Sequence, residues 1–137
     1  GESQGIIGIL NSGFYGGACY ILANAQQGVW SQEFTFFHLE NSFIQLNGGH
    51  GVYCQQGSFV AVSGSNISDN GGTGVYCTGD SSVRAASCTI QSNGGGGVLV
   101  EHDSYVNRAS STINGNTSFQ TSPSTIPSSG NYEGVIV

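Results

Sequence analysis

The stretch Ser42-Phe-Ile-Gln-Leu-Asn47-Gly-Gly-His-Gly-Val52-Tyr-Cys54 returns 23 residues later as Ser65-Asn-Ile-Ser-Asp-Asn70-Gly-Gly-Thr-Gly-Val75-Tyr-Cys77. It returns again as Cys88-Thr-Ile-Gln-Ser-Asn93-Gly-Gly-Gly-Gly-Val98-Leu-Val100. The period extends outward to Asn24 on one side and Asn116 on the other. A repeat of this length is one supersecondary unit that buries its apolar face only by stacking on its neighbours, which is the signature of a solenoid.

Three apolar columns run on this grid: Ile21, Ile44, Ile67, Ile90 and Ile113; Ile6, Val29, Val52, Val75 and Val98; and Phe14, Phe37, Val60, Val83 and Val106. Each column marks one short strand per coil. Within a strand the apolar residues alternate with variable ones, Val52 and Cys54 around Tyr53 for example, which is a strand period and not a helical one. The bends are written in Gly, Asn, Asp and Ser, residues that tolerate positive φ or bond the local backbone. Asn-Gly-Gly at 47, 70 and 93 makes one bend. Gln-Gly-Ser at 56–58, Gly-Asp-Ser at 79–81 and His-Asp-Ser at 102–104 make another. The expected fold is therefore all-β, a parallel solenoid of about five coils with three short strands each. Asn24, Asn47, Asn70, Asn93 and Asn116, in equivalent bends, are placed to bond amide to amide as a ladder, or serve only for their backbone conformation.

This pattern resembles the right-handed parallel β-helix of the pectin-lyase-like superfamily over residues 5 to 116. The rhythm of Gly51-Val-Tyr-Cys-Gln-Gln-Gly-Ser-Phe-Val-Ala-Val-Ser-Gly-Ser65 is similar to the β-helical stretches of bacteriophage tailspikes and tail fibres. The resemblance implies fold far more than activity, because the superfamily holds lyases, hydrolases, epimerases and inert shafts. Its narrower form implies a trimeric, virion-attached or extracellular protein that meets bacterial surface polysaccharide. Lyases of this fold use calcium-binding carboxylates and a basic residue. Arg84 and His38 share an outward column here, but in no recognisable motif.

Composition narrows the partners. Two basic residues face eight acidic ones in 137, a formal charge of −6, so there is no basic surface for a phosphate backbone and nucleic acid is not an expected partner. Charged residues are 7% of the chain, against about 25% in an average globular protein. Gly, Ser, Asn and Thr carry the solubility instead, which suits an extracellular or virion protein. No apolar run approaches the roughly 18 residues needed to span a bilayer as a helix. Residues 1–4 read as a leader or a cloning scar. Residues 117–137, rich in Ser and Thr and containing Pro123 and Pro127, read as a non-repeating loop followed by a last strand at 134–137. Such an uncapped stack is expected to be a segment of a longer spike or a unit that stacks end to end.

Cys54 and Cys77 share an inward slot and read as reduced core residues, while Cys19 and Cys88 lie three coils apart, too far to pair. No Cys or His spacing suggests a metal, and no cofactor motif is present.

Two outward aromatic columns are the candidate recognition surfaces. One holds Trp30, Tyr53 and Tyr76 between Ile7 and Leu99; the other holds Phe36, Phe59 and Tyr105, interrupted by Ser82. Contiguous exposed aromatic surface marks an interface or a binding site. For the first column three uses stay open: packing against another chain, stacking of sugar rings, or cover by the chain's own terminal segment. A catalytic alternative rests on Asp80 and Asp103, equivalent bend residues one coil apart, with Glu101 adjoining, since glycosidases use two carboxylates about 5–9.5 Å apart. The bland alternative is a solvated acidic bend. His50, in a Gly bend, reads as a surface residue. The expected function is thus a structural shaft and receptor-binding segment of a tailspike or tail fibre. A polysaccharide lyase or glycoside hydrolase, or a self-stacking filament subunit, is the alternative.

Overall fold

The computed structural model describes residues 5–8, 13–122 and 131–133. Pro123, Pro127, residues 1–4 and the strand expected at 134–137 lie outside them.

The described chain is an all-β parallel solenoid of about five coils, three strands per coil. The first sheet stacks β1 (Ile6–Gly8), β4 (Val29–Ser31), β7 (Val52–Cys54), β10 (Val75–Cys77), β13 (Val98–Val100) and β16 (Thr121–Ser122). The second stacks β2 (Gly13–Tyr15), β5 (Phe36–His38), β8 (Phe59–Ala61), β11 (Ser82–Arg84) and β14 (Tyr105–Asn107), closed by β17 (Asn131–Glu133). The third stacks β3 (Tyr20–Leu22), β6 (Phe43–Gln45), β9 (Asn66–Ser68), β12 (Thr89–Gln91) and β15 (Thr112–Asn114). Successive parallel strands pair in the register of the sequence period, Ile44 with Ile67 and Ile67 with Ile90.

Strand sterics turn the three sequence columns into one core. Val29, Val52, Val60, Val83, Ile44, Ile67, Ile90 and Val98 are all completely buried. Burying a side chain of this size stabilises the fold by roughly 1.5–3 kcal/mol relative to exposure, and stacking makes each Ile the floor of the next.

The bends repeat as strictly as the strands. Gln56 and Gly57, Gly79 and Asp80, and His102 and Asp103 form successive pairs of left-handed residues, with φ between 53° and 71°. Single left-handed residues at Asn41, Gly64, Ser87 and Ser110, and at Leu46, Asp69, Ser92 and Gly115, form the other two corners. Asp80 and Asp103 therefore occupy positions whose backbone demands a residue tolerant of positive φ.

Each corner carries a polar ladder that satisfies backbone buried between coils. The Asn70 Oδ1 accepts from the Asn47 amide nitrogen at 3.1 Å and from Asn47 Nδ2 at 2.9 Å. Asn70 Nδ2 in turn donates to Ile44 O and to Asn93 Oδ1, both at 3.0 Å. Two hydroxyl ladders accompany it. The backbone N–H of Thr35, Ser58 and Ser81 donates to the Oγ of Ser58, Ser81 and Ser104 at 3.0–3.1 Å. Cys19 and Ser42 donate likewise to Ser42 and Ser65.

At the carboxyl end the ladder stops on a local substitute. Gln120 Oε1 accepts from the Asn116 nitrogen at 3.1 Å and from Asn116 Nδ2 at 2.9 Å, standing where the next coil's asparagine carbonyl would be. The first sheet also runs one step beyond Asn116, with Val98 opposite Thr121 and Leu99 opposite Ser122. β17 pairs antiparallel with β14 and covers the second sheet's edge, one of the ways natural sheets blunt an open strand.

Candidate functional site

The first sheet's outer face is a strip built from three adjacent columns. Val29, Val52 and Val75 point in, as do Ser31, Cys54 and Cys77, so strand alternation sends Trp30, Tyr53 and Tyr76 outward, half-buried. Trp30 and Tyr53 lie 6.1 Å apart and Tyr53 and Tyr76 5.0 Å apart, each pair inclined by 14°. The ring faces are turned on one another, as the coil spacing of about 4.8 Å dictates. A molecule approaching the strip meets ring edges, not an open stacking platform.

On one side of the rings run Gln32, Gln55, Thr78 and Glu101. Gln55 Nε2 donates to Gln32 Oε1 at 2.9 Å, and the Tyr76 hydroxyl donates to Glu101 Oε2 at 2.9 Å. Thr78 Oγ1 bonds His102 Nδ1 at 2.9 Å, and that nitrogen stands 3.7 Å from Glu101 Oε2. On the other side stands His50, edge-on to the rings of Tyr53 at 5.4 Å and Tyr76 at 5.2 Å. Its Nδ1 accepts the Thr73 backbone N–H at 2.9 Å, which places the neutral ring's proton on Nε2. The sequence suggested only a surface residue at position 50. The reason for the difference is that the Gly49-His50-Gly51 bend turns the imidazole back over the neighbouring strands.

Two electrostatic consequences follow. Burial holds the His50 pKa below its ordinary 6.5. Burial, with the Glu101 carboxylate accepting its hydrogen bond, pushes Tyr76 up to about 12, and burial with the nearby charge of Glu101 raises Tyr53. The strip therefore carries uncharged rings around one carboxylate.

The three acidic residues considered together in the sequence are divided by the fold. Asp80 and Asp103 line an open depression with Ser81, Ser82 and Tyr105, while Glu101 turns to the first sheet and binds Tyr76. Asp80 and Asp103 are exposed at their bends. Glycosidases raise the pKa of their acid in a dry pocket, and this open depression excludes little water.

The second aromatic column divides as well. Phe36 and Phe59 stack at 4.9 Å, with His38 against Phe36 at 4.7 Å, whereas Tyr105 belongs to the acidic depression. Arg84 lies 5.9 Å over Phe59 and 3.7 Å from Glu40 Oε1, engaged away from any carboxylate pair that it could assist. A third stack, Tyr20 on Phe43 at 5.1 Å, stands on the third sheet. Its signal, two aromatics one period apart, was present in the sequence beside the Ile21 and Ile44 column.

All four cysteines are free thiols. Cys54 and Cys77 donate to the carbonyls of Ser82 and Tyr105, 3.6 and 3.7 Å away. Among the described residues no cluster of three His, Cys, Asp or Glu side chains is arranged to hold a metal ion, and no helix is long and apolar enough to cross a membrane.

Comparison with known proteins gives one match. No curated protein and no solved structure is similar enough to the chain to be matched. A family model described as "Right handed beta helix region" matches residues 4–134, which spans the ladders, the aromatic strip and β17 alike. The chain belongs to the right-handed β-helix family.

Proposed function

We propose that this chain is a β-helical segment of a phage tailspike or tail fibre, a stiff shaft that carries a recognition strip for bacterial surface polysaccharide. The observation that carries the proposal is the first sheet's outer face: self-stacked Trp30, Tyr53 and Tyr76 running beside Gln32, Gln55, Thr78 and Glu101. Apolar ring edges beside a line of hydrogen-bonding side chains suit a molecule that is itself apolar on its C–H surfaces and polar at its hydroxyls. The stack gives stiffness, because every coil is hydrogen-bonded to the next through backbone and side-chain ladders.

The second sheet and the bend that leads into it suit association with further copies of the chain. Tyr15 is 84% exposed, Phe34 69% and Phe36 50%, and Phe34 holds φ at 64°, a strained setting for a bulky residue. An apolar patch of this kind is covered in a side-by-side trimer. The near-absence of basic residues and the polar, weakly charged surface fit a virion or extracellular setting.

Solution mass and glycan binding test the two halves separately. A Trp30→Ala, Tyr53→Ala, Tyr76→Ala variant is expected to lose polysaccharide binding with its oligomer mass intact. A Tyr15→Ser, Phe34→Gly, Phe36→Ser variant is expected to dissociate. A monomeric wild type removes the trimer, and unchanged glycan binding in the first variant removes the recognition strip.

The depression holding Asp80 and Asp103 supports a second reading, a polysaccharide depolymerase. Release of reducing ends from capsule or lipopolysaccharide that disappears in Asp80→Asn and Asp103→Asn would favour it.

A further inference from the structure

Resting on the recognition strip just proposed, we infer that its ligand is an uncharged glycan, and that Glu101 is the residue that selects against uronate-bearing and phosphorylated polysaccharides. Glu101 is the strip's carboxylate. One oxygen, Oε2, takes the Tyr76 hydroxyl at 2.9 Å, and the side chain is 25% exposed, enough for ligand hydroxyls to reach it. Carboxylate oxygens accept up to about four hydrogen bonds, so accepting capacity remains for a sugar hydroxyl.

The groups facing Glu101 supply no fixed positive charge. Tyr76 and Tyr53 are phenols beneath it, and His102 Nδ1, 3.7 Å from Oε2, is shared with Thr78 Oγ1. His50, across the rings, uses Nδ1 to accept the Thr73 N–H, a bond that exists only for the neutral imidazole.

The chain has two permanent cations, and both stand elsewhere. Arg84 is on the second sheet against Glu40 and Phe59. Arg108 occupies the corner between the second and third sheets, one period after Ala85. An anionic sugar laid along the rings would be desolvated beside a like charge with no permanent counter-charge, and like-charge juxtaposition is a strong discriminator between ligands. The hydroxyls of a neutral sugar find acceptors in Glu101 and Gln32 and donors in the side-chain amides.

The test is an array of bacterial surface polysaccharides probed with wild type, with Glu101→Gln, and with the triple ring-to-alanine variant. Each glycan bound by wild type is then compared with its chemically C6-oxidised, uronate form. Expected are uncharged hits, about tenfold or greater weakening on oxidation, and recovery of most of that loss in Glu101→Gln, which keeps a carbonyl for Tyr76. Oxidised forms bound equally well, a hit list dominated by anionic glycans, or no recovery in Glu101→Gln overturns the inference and leaves the recognition strip standing. No bound glycan at all, or equal binding by the triple variant, overturns the strip and the inference together.

Discussion

Tyr76 and Glu101, 25 residues apart in the chain, are joined on the outer face of the first sheet by a 2.9 Å hydrogen bond from phenol to carboxylate. The pair couples the aromatic column to the polar column beside it. It adds to the effect of burial on the ionisation of Tyr76, because a carboxylate in contact opposes formation of a phenolate.

Ultraviolet titration is expected to show the effect. Tyr76 ionises near pH 12, well above the ordinary 10. In Glu101→Gln its midpoint falls toward 10, since the charge is gone and burial alone remains. The raised folded-state value means the folded protein holds this proton more tightly than the unfolded chain. The associated stability is complete below pH 10 and is lost as pH climbs through about 12.

His50 carries the opposite sign. Burial depresses its folded-state pKa below 6.5, so its contribution is present above pH 6.5 and fades as pH falls through the folded value. Protonation also ends acceptance of the Thr73 N–H. Nuclear magnetic resonance of the imidazole should give a midpoint below 6.5, and His50→Phe should remove that acid-dependent component from a denaturation series; a midpoint at or above 6.5 refutes it.

The asparagine ladder should be least sensitive to mutation at its ends. Asn70→Ala strands the buried Asn47 backbone N–H and takes one hydrogen bond each from the Ile44 carbonyl and the side chains of Asn47 and Asn93, which keep Ile21 O and the Asn70 N–H as partners. An orphaned buried group costs about 1–3 kcal/mol, so with the further bonds lost a decrease of about 2–3 kcal/mol in chemical denaturation is expected. Half-buried Asn24, bonded to Asn47 at the amino-terminal rung, should lose about 1 kcal/mol on the same change.

Gly74 tests how closely the coils nest. A Cβ there would lie 2.7 Å from Ile90 Cγ2, 2.8 Å from Asn93 Nδ2 and 2.9 Å from Gly97 O, inside any normal contact. Gly74→Ala is expected to destabilise by about 1–3 kcal/mol through overpacking, measurable as a lowered denaturation midpoint. An unchanged midpoint would mean that the coils can part at this corner.

Thiol chemistry reports on the core. Burial pushes the Cys54 thiol well up and Cys88 to about 11, so both resist a thiolate-directed reagent in the native state. Cys77 is fully buried and Cys19 is partly exposed. One thiol per chain should react with an aromatic disulfide reagent before unfolding, and four after it. Rapid reaction of Cys54 or Cys77 would contradict the packing.

The pieces legible in the sequence were those that depend on the period. Ile44, Ile67 and Ile90 stack because a parallel strand pairs with its equivalent one coil away, and the Tyr53 and Tyr76 rings face outward because a strand alternates. The missed residues break or end the pattern. Gln120 caps the asparagine ladder from four residues away, outside the repeat, and His50 folds over rings that its own repeat neighbours, Gln27 and Thr73, cannot cover.

By itself the sequence determined the stack: recurrence every 23 residues dictates parallel in-register pairing, and alternation dictates which side chains face in. Only the tertiary structure decided where side chains at the corners turn. It set Glu101 against Tyr76 and away from Asp80 and Asp103, and turned the aromatic faces toward each other. The physical reason is that position along the stack is fixed by backbone hydrogen bonding, whereas direction at a bend depends on left-handed backbone and on the particular neighbours one coil above and below.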